Sequence, residues 1–210
     1  MAAWSVEETV RYFSSYAAKY DEDLSPETYP APFVVPAWVL ERLLDTPELA
    51  QLDKGAGSEP PRPLRVLDLG CGTGQRVFFE HPLRDHFRVV GMLALARKLP
   101  FAETHCKDIE SELDIGLDFD AVVCIGVMDF CRDPSVFKQL HKMLSPSGCA
   151  GITFPDARGD GSLAKFNREQ IESLADAHQL SIVRSEQLFG YRDSETGEDT
   201  HYIGVVLIRK

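Results

Sequence analysis

Residues 64–75, LRVLDLGCGTGQ, constrain this chain more than any other stretch. Residues 64–69 are a short apolar run with one acid, Asp68, the pattern of a strand buried in a parallel sheet. Gly70, Gly72 and Gly74 follow at alternate positions, and Val77, Phe78 and Phe79 resume an apolar segment. Strand, glycine turn and helix start together make a ligand cradle at the carboxyl end of a sheet strand. Glycine lets the backbone come close to a ligand there, and the turn's N–H groups meet negative charge. A dinucleotide fingerprint needs Gly or Ala five positions after the first glycine. That position is Gln75, which disfavours a nicotinamide-dependent oxidoreductase. A glycine-rich turn in some other α/β protein is the plain alternative.

The rest of the composition bounds the answer. A chain of 210 residues is long enough for one α/β domain with a sizeable core and too short for two full ones. No apolar run approaches the roughly 18 residues of a membrane span, and the N-terminus MAAWSVEETV lacks the parts of a secretory signal. Five dispersed cysteines with no C-x-x-C pair read as reduced core thiols, which points to a cytoplasmic protein without a structural metal. The net charge of −11 repels a phosphate backbone on average and argues against a nucleic-acid acceptor.

The spelling D-L-G-C-G-T-G, with Asp68 as the acid, resembles motif I of class I S-adenosylmethionine (SAM)-dependent methyltransferases. The resemblance extends along the chain. Residues 13–23, FSSYAAKYDED, and 29–32, YPAP, are similar to the N-terminal signature of a methyltransferase-like family named for the Williams–Beuren syndrome chromosomal region. Tyr16 stands in place of that family's Trp and Ser14 in place of its Asp. In related enzymes the segment folds over the cofactor as a lid, so Tyr20 and Tyr29 either close the site or pack the first helix onto the domain. Residues 106–110, CKDIE, resemble motif II, which implies that Asp108 accepts the adenine amino hydrogen and that the Ile109 backbone meets a ring nitrogen; Asp108 as a helix cap is the alternative. Residues 119–126, FDAVVCIG, resemble motif IV and lead into Gly126, Val127, Met128 and Asp129, the floor where donor and acceptor meet. Asp129 either orients an acceptor or serves as a loop or helix-cap residue. The [ND]-P-P-[YF] tetrad of many amino-group methylases is absent, which disfavours that chemistry on adenine or glutamine.

Between these motifs the chain reads as follows. A first helix spans about residues 5–19, with a Ser5/Glu8 capping box and Val6, Val10, Phe13 and Ala17 on one face. A second spans 36–44 with Pro36 in its first turn, and a shorter one starts at Thr46. Residues 51–63 are a solvated linker. Strands are expected at 64–69, 86–92, 104–107, 119–126, 149–154, 181–189 and 201–209, with a turn at 145–148 and an antiparallel closing pair. Helices run from Asp133-Pro134 to Leu144, with a Val136, Phe137, Leu140 and Leu144 stripe, and from an Asn167/Gln170 capping box to about His178. His141 and Arg158 read as packed or solvated side chains. After Val90-Gly91 the chain runs straight into MLALARK, so several residues, including the acid that holds both ribose hydroxyls in class I enzymes, are missing. Each charge-assisted hydrogen bond is worth roughly 1.5–3 kcal/mol, so that loss weakens cofactor binding.

These features predict a Rossmann-like, doubly wound seven-stranded α/β sheet, mostly parallel with a C-terminal antiparallel strand. The chain reads as a single domain, 1–210, with an N-terminal helical lid (1–53), a linker (54–63) and a SAM-binding core (64–210). The resemblance implies SAM as cofactor, held by Asp68, Gly70, Cys71, Gly72 and Gly74 at its methionyl end and by Asp108 and Ile109 at its adenine, with Gly126, Tyr20 and Tyr29 also facing it. It implies methyl transfer to a small-molecule or protein acceptor, with no metal, and with Asp129 as the candidate for the acceptor side. A methyltransferase-fold protein that has lost or weakened SAM binding is the alternative, and the shortened turn after Gly91 is the feature that favours it.

Overall fold

The computed structural model describes residues 6–23, 27–46, 64–73, 105, 107, 109–131, 135–156, 166–192 and 197–210. The Ser5 cap, the 86–92 strand and shortened turn, Gly74, Asp108, Asp133-Pro134 and Arg158 lie outside them. The helices are α1 (Val6–Asp23), α2 (Ala31–Leu44), α3 (Ser135–Met143) and α4 (Arg168–Ala177). The strands are β1 (Val66–Asp68), β2 (Phe119–Cys124), β3 (Leu144–Pro155), β4 (Leu180–Arg192) and β5 (Asp199–Arg209).

Among the described residues these strands form one five-stranded sheet in the order β1-β2-β3-β5-β4. β1, β2 and β3 are parallel, and β5 runs antiparallel to both of its neighbours. The expected C-terminal antiparallel strand is therefore β5, inserted between β3 and β4. The expected count of seven is not met among the described residues. His105 and Lys107, placed in a strand by the sequence, belong to none. Among the described residues here, side chains bond to the backbone. Lys107 Nζ donates to the Asp114 carbonyl at 2.7 Å, and Gln139 of α3 receives the Leu113 N–H at 2.7 Å and donates to the Ser111 carbonyl at 2.9 Å.

Alternation along the strands builds two core faces. Leu67, Val122, Cys124, Ala150, Ile152, Phe154, Val205 and Leu207 point to the face covered by Val136, Phe137 and Leu140 of α3 and by Ile171 and Ala175 of α4. Val66, Ala121, Val123, Cys149 and Val206 point to the other, covered by Val35, Trp38, Val39 and Leu43 of α2. The apolar run of β2 is buried at every position, as a strand covered on both faces must be. α2 lies within the 1–53 segment and is built into this core.

Two local readings are corrected. α2 starts at Ala31, five residues before Pro36, because the Pro30 carbonyl accepts from Phe33 and Val34 at 2.9 and 3.0 Å and Pro32 in the first turn needs no donor. Pro36 then lies inside the helix at the cost of one backbone hydrogen bond, offset by burial of its neighbours Val35, Trp38 and Val39. Residues 145–148 are a bulge within β3 and not a turn before it. Phe119 pairs with Leu144 and Ala121 with Cys149, so β3 advances five residues while β2 advances two. Gly148 permits the bulge, since a Cβ there would lie 2.6 Å from the Phe119 carbonyl oxygen. The Asn167/Gln170 capping box is present in full, both bonds at 2.8 Å, and so is the antiparallel pairing of the last two strands.

α2 lies close on the sheet because Gly151 has no side chain. A Cβ at that position would stand 2.6 Å from Val39 Cγ2 and 2.8 Å from Val35 Cγ1. Gly151→Ala is therefore expected to destabilise the fold by about 1–3 kcal/mol through overpacking, measured by urea unfolding. An unchanged midpoint would mean that α2 is not seated as described.

Candidate active site

The site forms where the parallel strands end. Asp68 closes β1 opposite Val123, and the ladder continues through the Leu69 N–H to the Val123 carbonyl at 2.8 Å. The chain then turns through Gly70 at φ +88° and Gly72 at φ +57°, backbone that favours glycine. A Cβ on Gly70 would run into Val127 Cγ2, so the glycine turn and the loop after β2 touch directly. Cys71 is half-buried and its Sγ lies 3.7 Å from the Gly72 carbonyl. Upstream, the Arg65 N–H donates to Asp120 Oδ2 at 2.8 Å and the Asp120 N–H returns to the Arg65 carbonyl at 2.8 Å. This clip makes the motif IV acid structural, since it aligns β1 with β2.

Asp68 is buried, and burial lifts its carboxyl from 3.8 to about 7. Among the described residues no basic side chain offsets that rise. A cationic group bound at the glycine turn would favour the ionised form, which is what the ammonium of a methionyl moiety would supply. Turn geometry and acid thus fit the expected cofactor end. Cys124 ends β2 within electrostatic reach of both Asp68 and Asp129. Burial holds its thiol well above the ordinary range, with Cys131, Asp68 and Asp129 adding to the effect. It is an inert core thiol.

The loop after β2 carries the second half of the site. Gly126 turns at φ +66°, and its N–H donates to Thr153 Oγ1 of β3 at 2.8 Å. A Cβ on Gly126 would meet the Tyr29 hydroxyl, so this tyrosine from the segment before α2 seals the loop. The Tyr29 ring packs at 5.9 Å from that of Tyr202 in β5, and the Tyr202 hydroxyl donates to Asp129 Oδ1 at 2.9 Å. Asp129 thus ties the loop to the last strand. The ring of the next residue, Phe130, meets Phe13 of α1 edge-on at 5.0 Å.

Asp68, Gly70, Gly72, Gly126, Tyr29 and Asp129 thus gather at one end of the sheet. Tyr20 lies on α1, its ring 6.3 Å from that of Phe13 and 5.8 Å from that of Tyr16. Ile109 is buried in the core cluster, and its carbonyl accepts from Gln139 Nε2 at 3.3 Å. Tyr202, Thr153 and Gln139 were missed from the sequence. A signal existed for Tyr202: a last strand antiparallel to β3 must begin where β3 ends, and Tyr202 pairs with Pro155. Among the described residues, no group of three or more His, Cys, Asp or Glu is placed to hold a metal ion, and no helix is long and apolar enough to cross a membrane.

Comparison with known proteins agrees with this geometry. The sequence profile described as "Methyltransferase domain" matches residues 37–189. The chain belongs to the methyltransferase-domain family. It is 36% identical over 99 residues to the biotin biosynthesis bifunctional protein BioHC of Saccharophagus degradans, covering 42% of this chain and 18% of that protein. It is 32% identical over 111 residues to the ubiquinone biosynthesis O-methyltransferase of Ruegeria pomeroyi, covering 47% and 44%. The chain thus matches less than half the length of either relative. The fold is shared with a TehB-like SAM-dependent methyltransferase from Corynebacterium glutamicum, with a TM-score of 0.60 at 19% identity, covering 95% of this chain and 99% of that one.

The buried Asp68 of this methyltransferase-domain protein makes its ligand-free stability depend on pH. The unfolded chain releases the proton near 3.8, the native state near 7, so stability is full below the first value, falls between the two and levels off above the second. Asp68→Asn lacks that fall. Between about pH 5 and about pH 8, urea unfolding of the unsubstituted protein should lose on the order of 3 kcal/mol relative to the variant. Parallel pH profiles would place Asp68 in contact with solvent.

Proposed function

We propose that this chain transfers the methyl group of SAM to a small-molecule or protein acceptor. The observation that carries the reading is the direct contact of Gly70 with Val127, which sets a glycine turn beside the loop that ends β2. The family match supports it, and so does the relative from Ruegeria pomeroyi whose name specifies O-methyl transfer. In this reading Asp68 and the turn at Gly70, Cys71, Gly72 and Gly74 hold the methionyl end, and Asp108 and Ile109 hold the adenine. Bound SAM supplies a methyl group already activated by its sulfonium, so the protein's part is alignment and exclusion of water. Gly126 and Val127 back the site, and Tyr29 with Phe13 of α1 closes it. Of the 1–53 segment, α1 and Tyr29 take the lid role, with 64–210 as the cofactor-binding core of a single domain. The finer kinship to the Williams–Beuren region family is supported by Tyr29, a residue of its N-terminal signature, lying against Gly126. Net acidity supports a small-molecule or protein acceptor over nucleic acid, and the dispersed thiols support a cytoplasmic setting.

Isothermal titration with S-adenosylhomocysteine tests the reading. Saturable binding is expected, accompanied at a hundredfold excess over Kd by a melting rise of about 5–10 °C. Asp68→Ala should weaken it by about ten- to a hundredfold, the loss of a charge-assisted bond. Absence of binding in a well-folded protein, up to millimolar ligand, would instead support the reading in which SAM binding has been lost.

A further inference from the structure

Residues 109–113 belong to no strand and no helix, so no ladder satisfies their backbone groups. One side chain serves three of those groups. Gln139 of α3 donates through Nε2 to the Ile109 carbonyl at 3.3 Å and to the Ser111 carbonyl at 2.9 Å, and its Oε1 accepts the Leu113 N–H at 2.7 Å. Both donors and the acceptor of the amide are thereby committed to one short segment. The bond from Lys107 Nζ to the Asp114 carbonyl, at 2.7 Å, closes the same segment from its two ends. The Ile109 side chain is buried in the cluster that also holds Leu69, the residue before the glycine turn, and Met128 of the loop after β2. Leu113 and Val127 pack against that cluster. The segment is thus seated on the same core as the two loops of the site.

We infer that Gln139 is a positioning residue for the proposed cofactor: it presets the backbone of residues 109–113 so that the Ile109 N–H meets a purine ring nitrogen, and selection of adenine thereby depends on a side chain of α3. Gln139 acts through the segment and not by contact with the ligand. A backbone fixed in advance binds without an ordering cost. A fixed N–H also discriminates between purines, because it bonds a nitrogen lone pair and repels another N–H. S-adenosylhomocysteine offers the lone pair. S-inosylhomocysteine, its 6-oxo counterpart, offers an N–H at the same ring position.

The inference rests on the proposed SAM binding, and its test begins by titrating the unsubstituted protein with both ligands. Failure of both to bind would overturn the SAM reading and the inference with it, whereas every other adverse result overturns the inference alone. In the S-adenosylhomocysteine complex, the backbone amides of residues 109–113 should exchange with deuterium more slowly than in the free protein. S-inosylhomocysteine should bind at least about tenfold more weakly than S-adenosylhomocysteine. Gln139→Met keeps the length of the side chain and loses all three bonds. It should weaken S-adenosylhomocysteine by about tenfold and bring the two ligands within about threefold of each other. Gln139→Glu still accepts from Leu113 but has no proton for either carbonyl, and it should lose the selectivity in the same way. Unchanged exchange at 109–113 on binding would overturn the inference without any variant. Equal binding of the two ligands to the unsubstituted protein, or a folded variant that keeps the preference while weakening both ligands alike, would also overturn it.

Discussion

The arrangement depends first on the parallel pairing of β1 with β2. Asp68 sits opposite Val123, and the strands leave the sheet together, one into the glycine turn and the other into the Gly126 loop. A parallel pair aligns carboxyl ends, and carboxyl ends are where ligands bind in open α/β sheets. The Arg65–Asp120 backbone clip sets the register at the opposite end. A slip of one residue would turn Asp68 to the other face of the sheet and part Gly70 from Val127. The glycine turn and the Gly126 loop are thus two products of one strand pair.

What β1 and β2 align, the rest of the chain holds in place. β3 contributes Thr153 to the Gly126 N–H, β5 contributes Tyr202 to Asp129, and the segment before α2 contributes Tyr29. Five separate stretches converge on a loop of a few residues. Insertion of β5 between β3 and β4 matters here, because only a strand running against β3 can begin beside its end. Asp68 carries the cost of this construction as a buried carboxylate, a cost that a bound cation would relieve.

Much of this was legible in the sequence where the signal was local. The D-L-G-C-G-T-G turn, the buried β2 run and the Asn167/Gln170 capping box are patterns of adjacent residues whose physics is complete within a few positions. The long-range contacts were not legible. Tyr202 and Asp129 lie 73 positions apart, and neither residue type nor spacing marks the bond. Residue type alone leaves Asp129 open between an acceptor-facing role and a loop or helix-cap role. The α2 start was hidden because three prolines, Pro30, Pro32 and Pro36, compete for the first turn, and the carbonyl of the earliest decided it. The 145–148 bulge reads locally as a turn, and its place within β3 follows only from pairing with β2.

The central claim is that the glycine turn at Gly70 and Gly72, set against the loop after β2, holds the methionyl end of the proposed cofactor. A crystal structure of the complex with S-adenosylhomocysteine tests it most directly. The account predicts the homocysteine end against the turn at Gly70 and Gly72, its amino group toward Asp68, and Tyr202 still bonded to Asp129. Homocysteine density against Tyr29 and Tyr202, or a ligand whose amino group avoids Asp68, would contradict it.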